Sequence, residues 1–282
     1  MKVTPGDLTD SLKADCSRCC GICCVALYFS ASEGFPRDKA AGEACCHLQA
    51  DSRCAIHSEL HRRGLKGCMA FDCFGAGQKV TQTSYAGLDW RGPAGAAQAM
   101  FTVFLIQRQL HEMLWYLNDA LKQPAARPIY RELQAMLKET EELTMLTPGE
   151  LTGLDVEALR ERIKALLLET SELVREDVSS RVKTTGSRQR KLHPGALLMG
   201  ADLRKNDLRG SNLRGACLIA ADLRAIDLTG TDLLGADFRD ANIRGADMSR
   251  SLFLTQAQLN TARGDDNTRL PAGLVIPRSW AD

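Results

Sequence analysis

Long apolar runs are missing from this 282-residue sequence. No uncharged stretch approaches the roughly 18 residues that a membrane-crossing helix needs. The opening residues, MKVTPGDLTDSLKADC, lack the basic-then-apolar order of a secretory leader, so the expectation is a soluble, cytoplasmic chain. Aromatic residues reach only 5%, which leaves Leu and Ala to build the cores. Net charge is nearly absent, 36 basic residues meeting 35 acidic ones. That balance removes any global pull toward nucleic acid or an anionic membrane. No Ser/His/Asp set, H-E-x-x-H motif or carboxylate pair among the cysteines points to an enzyme. The FGAGQ run at Phe74–Gln78 lacks the Lys-Ser/Thr of a phosphate loop and reads as a turn.

What is present changes in character along the chain. Residues 1–90 are rich in Cys and Gly, and residues 94–178 carry helical periodicity. A polar, basic linker follows at 179–195, with Arg181, Lys183, Arg188, Arg190 and Lys191. No aromatic side chains interleave there for base stacking, which argues against a nucleic-acid arm. Three helices are expected. The first runs from Ala94 to Leu121 with Phe101, Phe104, Leu105, Leu110, Leu114, Leu117 and Leu121 on its apolar face. The second spans Ile129 to Leu146, and the third starts at an Asp155 N-cap. Together they predict a helical hairpin or small bundle.

From Ala196 to Thr255 the chain can be written in fives, beginning ALLMG, ADLRK, NDLRG, SNLRG. The central residue is apolar in all twelve units, from Leu198 to Phe253, and the first is small in most, with Ile226 the clear exception. Neither the helical nor the strand period fits. A period of five fits a four-sided coil whose central side chain points inward. Four units make one coil, so twelve make about three, stacked at strand spacing. Ladders of Arg204, Arg224 and Arg244, and of Asp207, Asp227 and Asp247, are expected on adjacent faces. Residues 256–282 supply a cap: a short helix from Ala257 to Ala262, then Leu270, Leu274, Val275, Ile276 and Trp280 over the last coil.

The A-D/N-L-x-x pattern resembles the pentapeptide-repeat family. That resemblance implies a right-handed quadrilateral β-helix; the ordered surface charges read either as a solvated surface or as a face that docks a protein partner. Some members of that family imitate DNA and act on DNA gyrase. Eight basic and eight acidic residues between Ala196 and Thr255 make this repeat short and neutral, a poor imitation of a polyanion.

Ten of the eleven cysteines lie between Cys16 and Cys73. In a reducing compartment such clustering argues for metal ligands or redox chemistry rather than disulfides. Thiolates two or three residues apart can reach one ion, and zinc or an iron–sulfur cluster takes four. Ten Cys with two nearby His are enough for two centres, and metal sites can fold a segment poor in apolar mass. The order also resembles the zinc- or iron-chelating Cys-cluster family: Cys16-x2-Cys19-x3-Cys23-Cys24 at the front, one residue longer than the family pattern, then Cys45, Cys54-Ala-Ile-His57, Cys68 and Cys73. The expected metal ligands are Cys16, Cys19, Cys23, Cys24, Cys45, Cys54, Cys68 and Cys73. Cys20, Cys46, His47 and His57 stay open as core residues, substitutes or supporting donors, while Cys217, His61, His111 and His193 are expected to take no part.

The fold expected is multidomain α and β: a Cys-rich metal-binding module, a helical middle and a C-terminal β-helix. The function expected is a non-enzymatic protein that binds zinc or iron and uses the β-helix as an interaction scaffold. An iron–sulfur redox or oxidation-sensing protein is the first alternative, then a metal-dependent enzyme and a gyrase modulator.

Overall fold

The computed structural model describes residues 7–92, 95–181 and 192–280. The chain forms two compact units, Met1–Asn118 with Arg131–Ala165, and Asp119–Tyr130 with Leu166–Asp282. No helix among the described residues is long and apolar enough to cross a membrane.

The first unit opens with short turns and one-turn helices, then enters α1 (Ala96–Leu121), whose last turn belongs to the second unit. The expected start at Ala94 lies outside the described residues. Phe101, Phe104, Leu110, Leu114 and Leu117 are buried, as their spacing requires. Leu105 is 42% exposed and does not share their face: one residue beyond Phe104, it lies about 100° further round the helix. α2 (Tyr130–Leu143) buries Leu133, Met136 and Thr140. It stops short of Leu146 because the chain turns into a capping box, in which Thr147 Oγ1 accepts from Glu150 N and the Glu150 carboxylate accepts from Thr147 N. α3 (Val156–Arg181) begins where the Asp155 carboxylate accepts from Ala158 N at 2.9 Å. Of the basic linker, Lys183, Arg188, Arg190 and Lys191 lie outside the described residues.

In the second unit the repeat winds into coils. Parallel bridges join Leu197 to Cys217, Asp202 to Asp222, Asn212 to Asp232 and Asp227 to Asp247, each pair offset by twenty positions. Stacked strands are not formed, and among the described residues the repeat pairs through isolated bridges alone. The five-residue unit explains this: its second residue pairs, its third points inward, and the rest makes the turn. All twelve central side chains are 5% exposed or less, and each contributes about 1.5–3 kcal/mol by burial. Ile226, the large residue at a small position, is buried with them.

The C-terminal half of α3 lies along one side of the coils. Arg175 Nε donates to Gly210 O at 3.1 Å. Gly230 (φ 67°) sits beneath Val178, where a Cβ would stand 2.6 Å from Val178 Cγ2. On the same side Arg214 pairs with the fully buried Asp232 carboxylate at 3.0 Å.

The expected ladders stack at the twenty-residue offset, Asp227 bridging Asp247, and within them the charges pair both in their own unit and across coils, Arg204 reaching Asp222 at 3.3 Å. Arg204 binds Asp202, Arg209 binds Asp207, Arg224 binds Asp222 and Arg239 binds Asp237, at 2.6–2.8 Å. The acidic second and basic fourth positions share one side of the coil, so the guanidinium reaches its own carboxylate first. In the cap, α4 (Gln256–Thr261) is closed by a Thr255–Gln258 capping box. Trp280 Nε1 donates to Ala262 O at 3.0 Å. Leu270 and Leu274 pack on the core. Val275 and Ile276 do not cover the coil, being 60% and 44% exposed.

Asp119, in the last turn of α1, accepts from Phe253 N at 2.8 Å. Phe253 is buried in the left-handed region (φ 61°), so this bond holds a strained residue. Burial pushes the Asp119 carboxyl up to about 6, with Asp232 adding to the rise and the Phe253 N–H and Lys122 opposing it. A carboxyl raised above its unfolded value near 4 supports the fold at low pH and loses that contribution as pH rises through about 6. Asp119→Asn keeps the acceptor and removes the buried charge. In thermal melts the second unit of this variant is expected to be more stable than wild type near pH 8, with the difference closing below about pH 4.

Candidate metal centre

Three loops carry the sulfurs, and local chemistry draws them together. Asp15 Oδ1 accepts from Ser17 N at 3.0 Å and starts the turn Cys16–Arg18. Gly21 (φ 70°) lets the chain pass close to Leu48, where a Cβ would stand 2.7 Å from Leu48 Cδ1. The one-turn helix Cys23–Ala26 then presents two adjacent thiols, their Sγ atoms 4.0 Å apart. The second loop is tied to it by Cys45 N donating to Cys24 O and Gly42 N donating to Val25 O, both at 2.9 Å. A bridge from Leu48 to Cys54 closes that loop on itself. Gly67 N donates to Gly34 O at 3.0 Å and sets the helix Lys66–Met69 that carries Cys68. Cys73 follows, and FGAGQ turns into the helix Ala76–Lys79 through Phe74 and Gly75, both with positive φ.

Four of the eight expected ligands share one cavity. Cys16, Cys19, Cys23 and Cys73 line one small cavity with Asp15, Gln78 and Phe104. Its volume of about 20 Å³ suits a single water-sized occupant. Gly77 forms the floor, since a Cβ there would stand 2.8 Å from Cys19 Sγ and 3.8 Å from Cys73 Sγ. Gln78 anchors the rim, its Oε1 accepting from Asp15 N and its Nε2 donating to Lys13 O. Cys24 raises the thiols of Cys45, Cys54 and Cys68 by its charge, after burial, and Cys46 adds to the rise of Cys45 and Cys54. All eleven cysteines are free thiols. Among the described residues no three Cys, His, Asp or Glu side chains already stand at coordinating positions, so the sulfurs surround the space rather than close on it.

Electrostatics bear out this crowding. Burial, then neighbouring thiolates, push Cys16 and Cys68 up to about 12. Burial pushes Cys73 up to about 11, against N–H groups of the Gly75–Gly77 turn. Cys19 moves the other way, to about 6, chiefly because it accepts from the Cys20 thiol. The coupled Cys20 rises. In the adjacent pair Cys24 falls and Cys23 rises through their mutual hydrogen bond. Cys20 is a core residue: its N–H donates to Thr81 Oγ1 at 3.1 Å, and Trp90 Nε1 donates to its carbonyl at 3.0 Å. Cys46 and His57 are exposed, and His47 is half-buried. His111 is buried, donating from Nδ1 to Phe74 O at 2.7 Å. Burial lowers it to about 4, which keeps it neutral.

Comparison with known proteins adds the lineage. The family model for pentapeptide repeats matches residues 193–218 and 216–253, with eight copies. The uncharacterised protein YybG of Bacillus subtilis (strain 168) is 53% identical over 269 residues, 95% of each chain. The chain belongs to the same family as YybG. Among solved structures, the chain matches HetL, a pentapeptide repeat protein involved in heterocyst differentiation regulation from Nostoc sp. strain PCC 7120. That match is 27% identical, covers 30% of this chain and 44% of HetL, and has a TM-score of 0.13.

Sequence reasoning missed Gly77. Gly77 stood within FGAGQ, but only its approach to Cys19 reveals its use. Gly77→Ala is expected to cost about 1–3 kcal/mol by overpacking, although Ala suits a helix better than Gly. Gly149→Ala, whose Cβ would meet nothing within 4 Å, is the control and is expected to be neutral or slightly stabilising. Chemical denaturation reads both; an unchanged Gly77→Ala would contradict the cradle.

Proposed function

We propose that this is a metal-binding interaction protein: the Cys-rich part holds zinc or iron, and the repeat, read as a right-handed quadrilateral β-helix, offers its faces to a protein partner. One observation carries the metal reading: Cys16, Cys19 and Cys23 from one loop and Cys73 from another line a single small cavity. Such a donor set suits zinc or an iron–sulfur cluster, and either supplies positive charge that lets crowded thiols ionise together. Cys16, Cys19, Cys23 and Cys73 would hold one centre. The resemblance to the chelating Cys-cluster family supports the same assignment. Eleven unbridged thiols fit the reducing cytoplasm.

The twenty-residue offset supports the β-helix reading, and the self-paired Arg and Asp residues bear on its partner. Arg204, Arg209, Arg224 and Arg239 each pair with an Asp of their own unit, so these coil sides carry no unbroken acidic strip. That favours a protein surface over imitation of a nucleic acid.

Protein purified without oxygen is expected to carry close to stoichiometric zinc or iron by elemental analysis, and removing the metal is expected to unfold residues 7–92 first. A colourless zinc form supports the structural reading, and visible absorption supports an iron–sulfur centre. A metal-free, fully folded, reduced protein contradicts both.

A further inference from the structure

Two thiols from distant parts of the chain meet at Gly77. A Cβ on that residue would stand 2.8 Å from Cys19 Sγ and 3.8 Å from Cys73 Sγ, so the sulfurs are no further apart than these two distances laid end to end. The missing side chain of Gly77 leaves the space between them clear. Both sulfurs also border the small cavity of about 20 Å³, which gives them room to close. Hydrogen bonds hold the two segments together. Thr81 Oγ1 accepts from Cys20 N at 3.1 Å and donates to Gly77 O at 2.9 Å. Gln78 Oε1 accepts from Asp15 N at 3.0 Å. Each sulfur rides on a short turn: Cys19 follows the turn Cys16–Arg18, and Cys73 precedes Phe74 and Gly75, both at positive φ.

Adjacent thiols compete poorly. Cys23 Sγ and Cys24 Sγ are 4.0 Å apart, yet neighbouring residues have Cα atoms only about 3.8 Å apart. That is below the roughly 4.4 Å at which unstrained disulfides begin. The same limit disfavours Cys19 with Cys20. Cys19 with Cys73 escapes it, because the two residues come from separate loops. Their exposure is graded. Both are free thiols, Cys19 half-buried and Cys73 buried. A small oxidant therefore meets Cys19 first, with Cys73 behind it, the arrangement of a reactive thiol and a resolving one.

We propose that Cys19 and Cys73 form a dithiol modification site that hydrogen peroxide converts to a disulfide. Cys19 gives its proton to solvent and its sulfur attacks one peroxide oxygen. The O–O bond breaks, leaving Cys19 as a sulfenic acid and releasing hydroxide, which regains the proton as water. The Cys73 sulfur then attacks Cys19 Sγ. The S–O bond breaks, the S–S bond forms, and the hydroxyl leaves with the Cys73 proton as a second water. The two thiols lose two electrons and the peroxide gains them. The site stands apart from the metal reading: a bridge would take two donors from any metal in the cavity, but it needs no metal to form.

The test uses the full chain, reduced, freed of metal with a chelator and treated with hydrogen peroxide. Remaining thiols are then blocked, and linked peptides are mapped by mass spectrometry. The expected product is a bridge joining Cys19 to Cys73, with the loss of two hydrogens. Cys73→Ser is expected to stall Cys19 at the sulfenic acid, which a diketone probe traps. Cys19→Ser is expected to lose the bridge and leave Cys73 a free thiol. Cys16→Ser and Cys23→Ser, at the other two sulfurs of the cavity, are expected to keep the bridge. A wild-type bridge from Cys73 to Cys16 or Cys23, a Cys23–Cys24 bridge, or over-oxidised Cys19 with no bridge would overturn the proposal. Should a variant fail to fold, the wild-type map decides alone. Metal in the untreated chain is measured separately. A metal-free, folded chain that forms the bridge defeats the metal reading and keeps this one; a metal-loaded chain whose stripped form bridges elsewhere does the reverse.

Discussion

Thiolates repel one another, and the first unit gathers more of them than it can ionise without help. That constraint explains the electrostatics of its front end: Cys16, Cys68 and Cys73 are all held above the ordinary thiol range. The two thiols that escape, Cys19 and Cys24, do so by accepting from the neighbours Cys20 and Cys23. Residues 7–92 have short turns and isolated bridges but no long helix and no strand among the described residues. A segment built this way gains most from a cation that turns mutual repulsion into shared attraction.

The second unit rests on the opposite principle. Its stability comes from apolar side chains recurring every fifth residue, each buried by the coil above and below it. Polar groups are used sparingly and locally. Arg and Asp two residues apart satisfy each other, Thr255 and Gln258 cap α4, and Asp119 holds the strained Phe253. Charge in the repeat is thus spent within each side, whereas charge in the first unit is left concentrated.

Much of this was legible in the sequence, for physical reasons. The five-residue period has one structural solution, so the inward set from Leu198 to Phe253 followed directly. Helix positions followed from spacing and from the cap at Asp155. Tertiary choices were not legible. Leu105, Val275 and Ile276 are apolar residues left exposed by the helix angle and the path of the cap. The charge ladders form, but the sequence did not show that Arg209 and its equivalents would also meet a carboxylate two residues away in their own unit. The meeting of Cys16, Cys19, Cys23 and Cys73 at one cavity depends on contacts such as Gly77 with Cys19. The Sγ atoms of adjacent Cys23 and Cys24 are 4.0 Å apart, yet only Cys23 lines that cavity, which no linear spacing shows.

X-ray absorption at the metal edge of the anaerobically purified chain is the most direct test that these sulfurs are ligands. The account predicts about four sulfur scatterers per metal, near 2.3 Å for zinc. A first shell dominated by nitrogen or oxygen would contradict it.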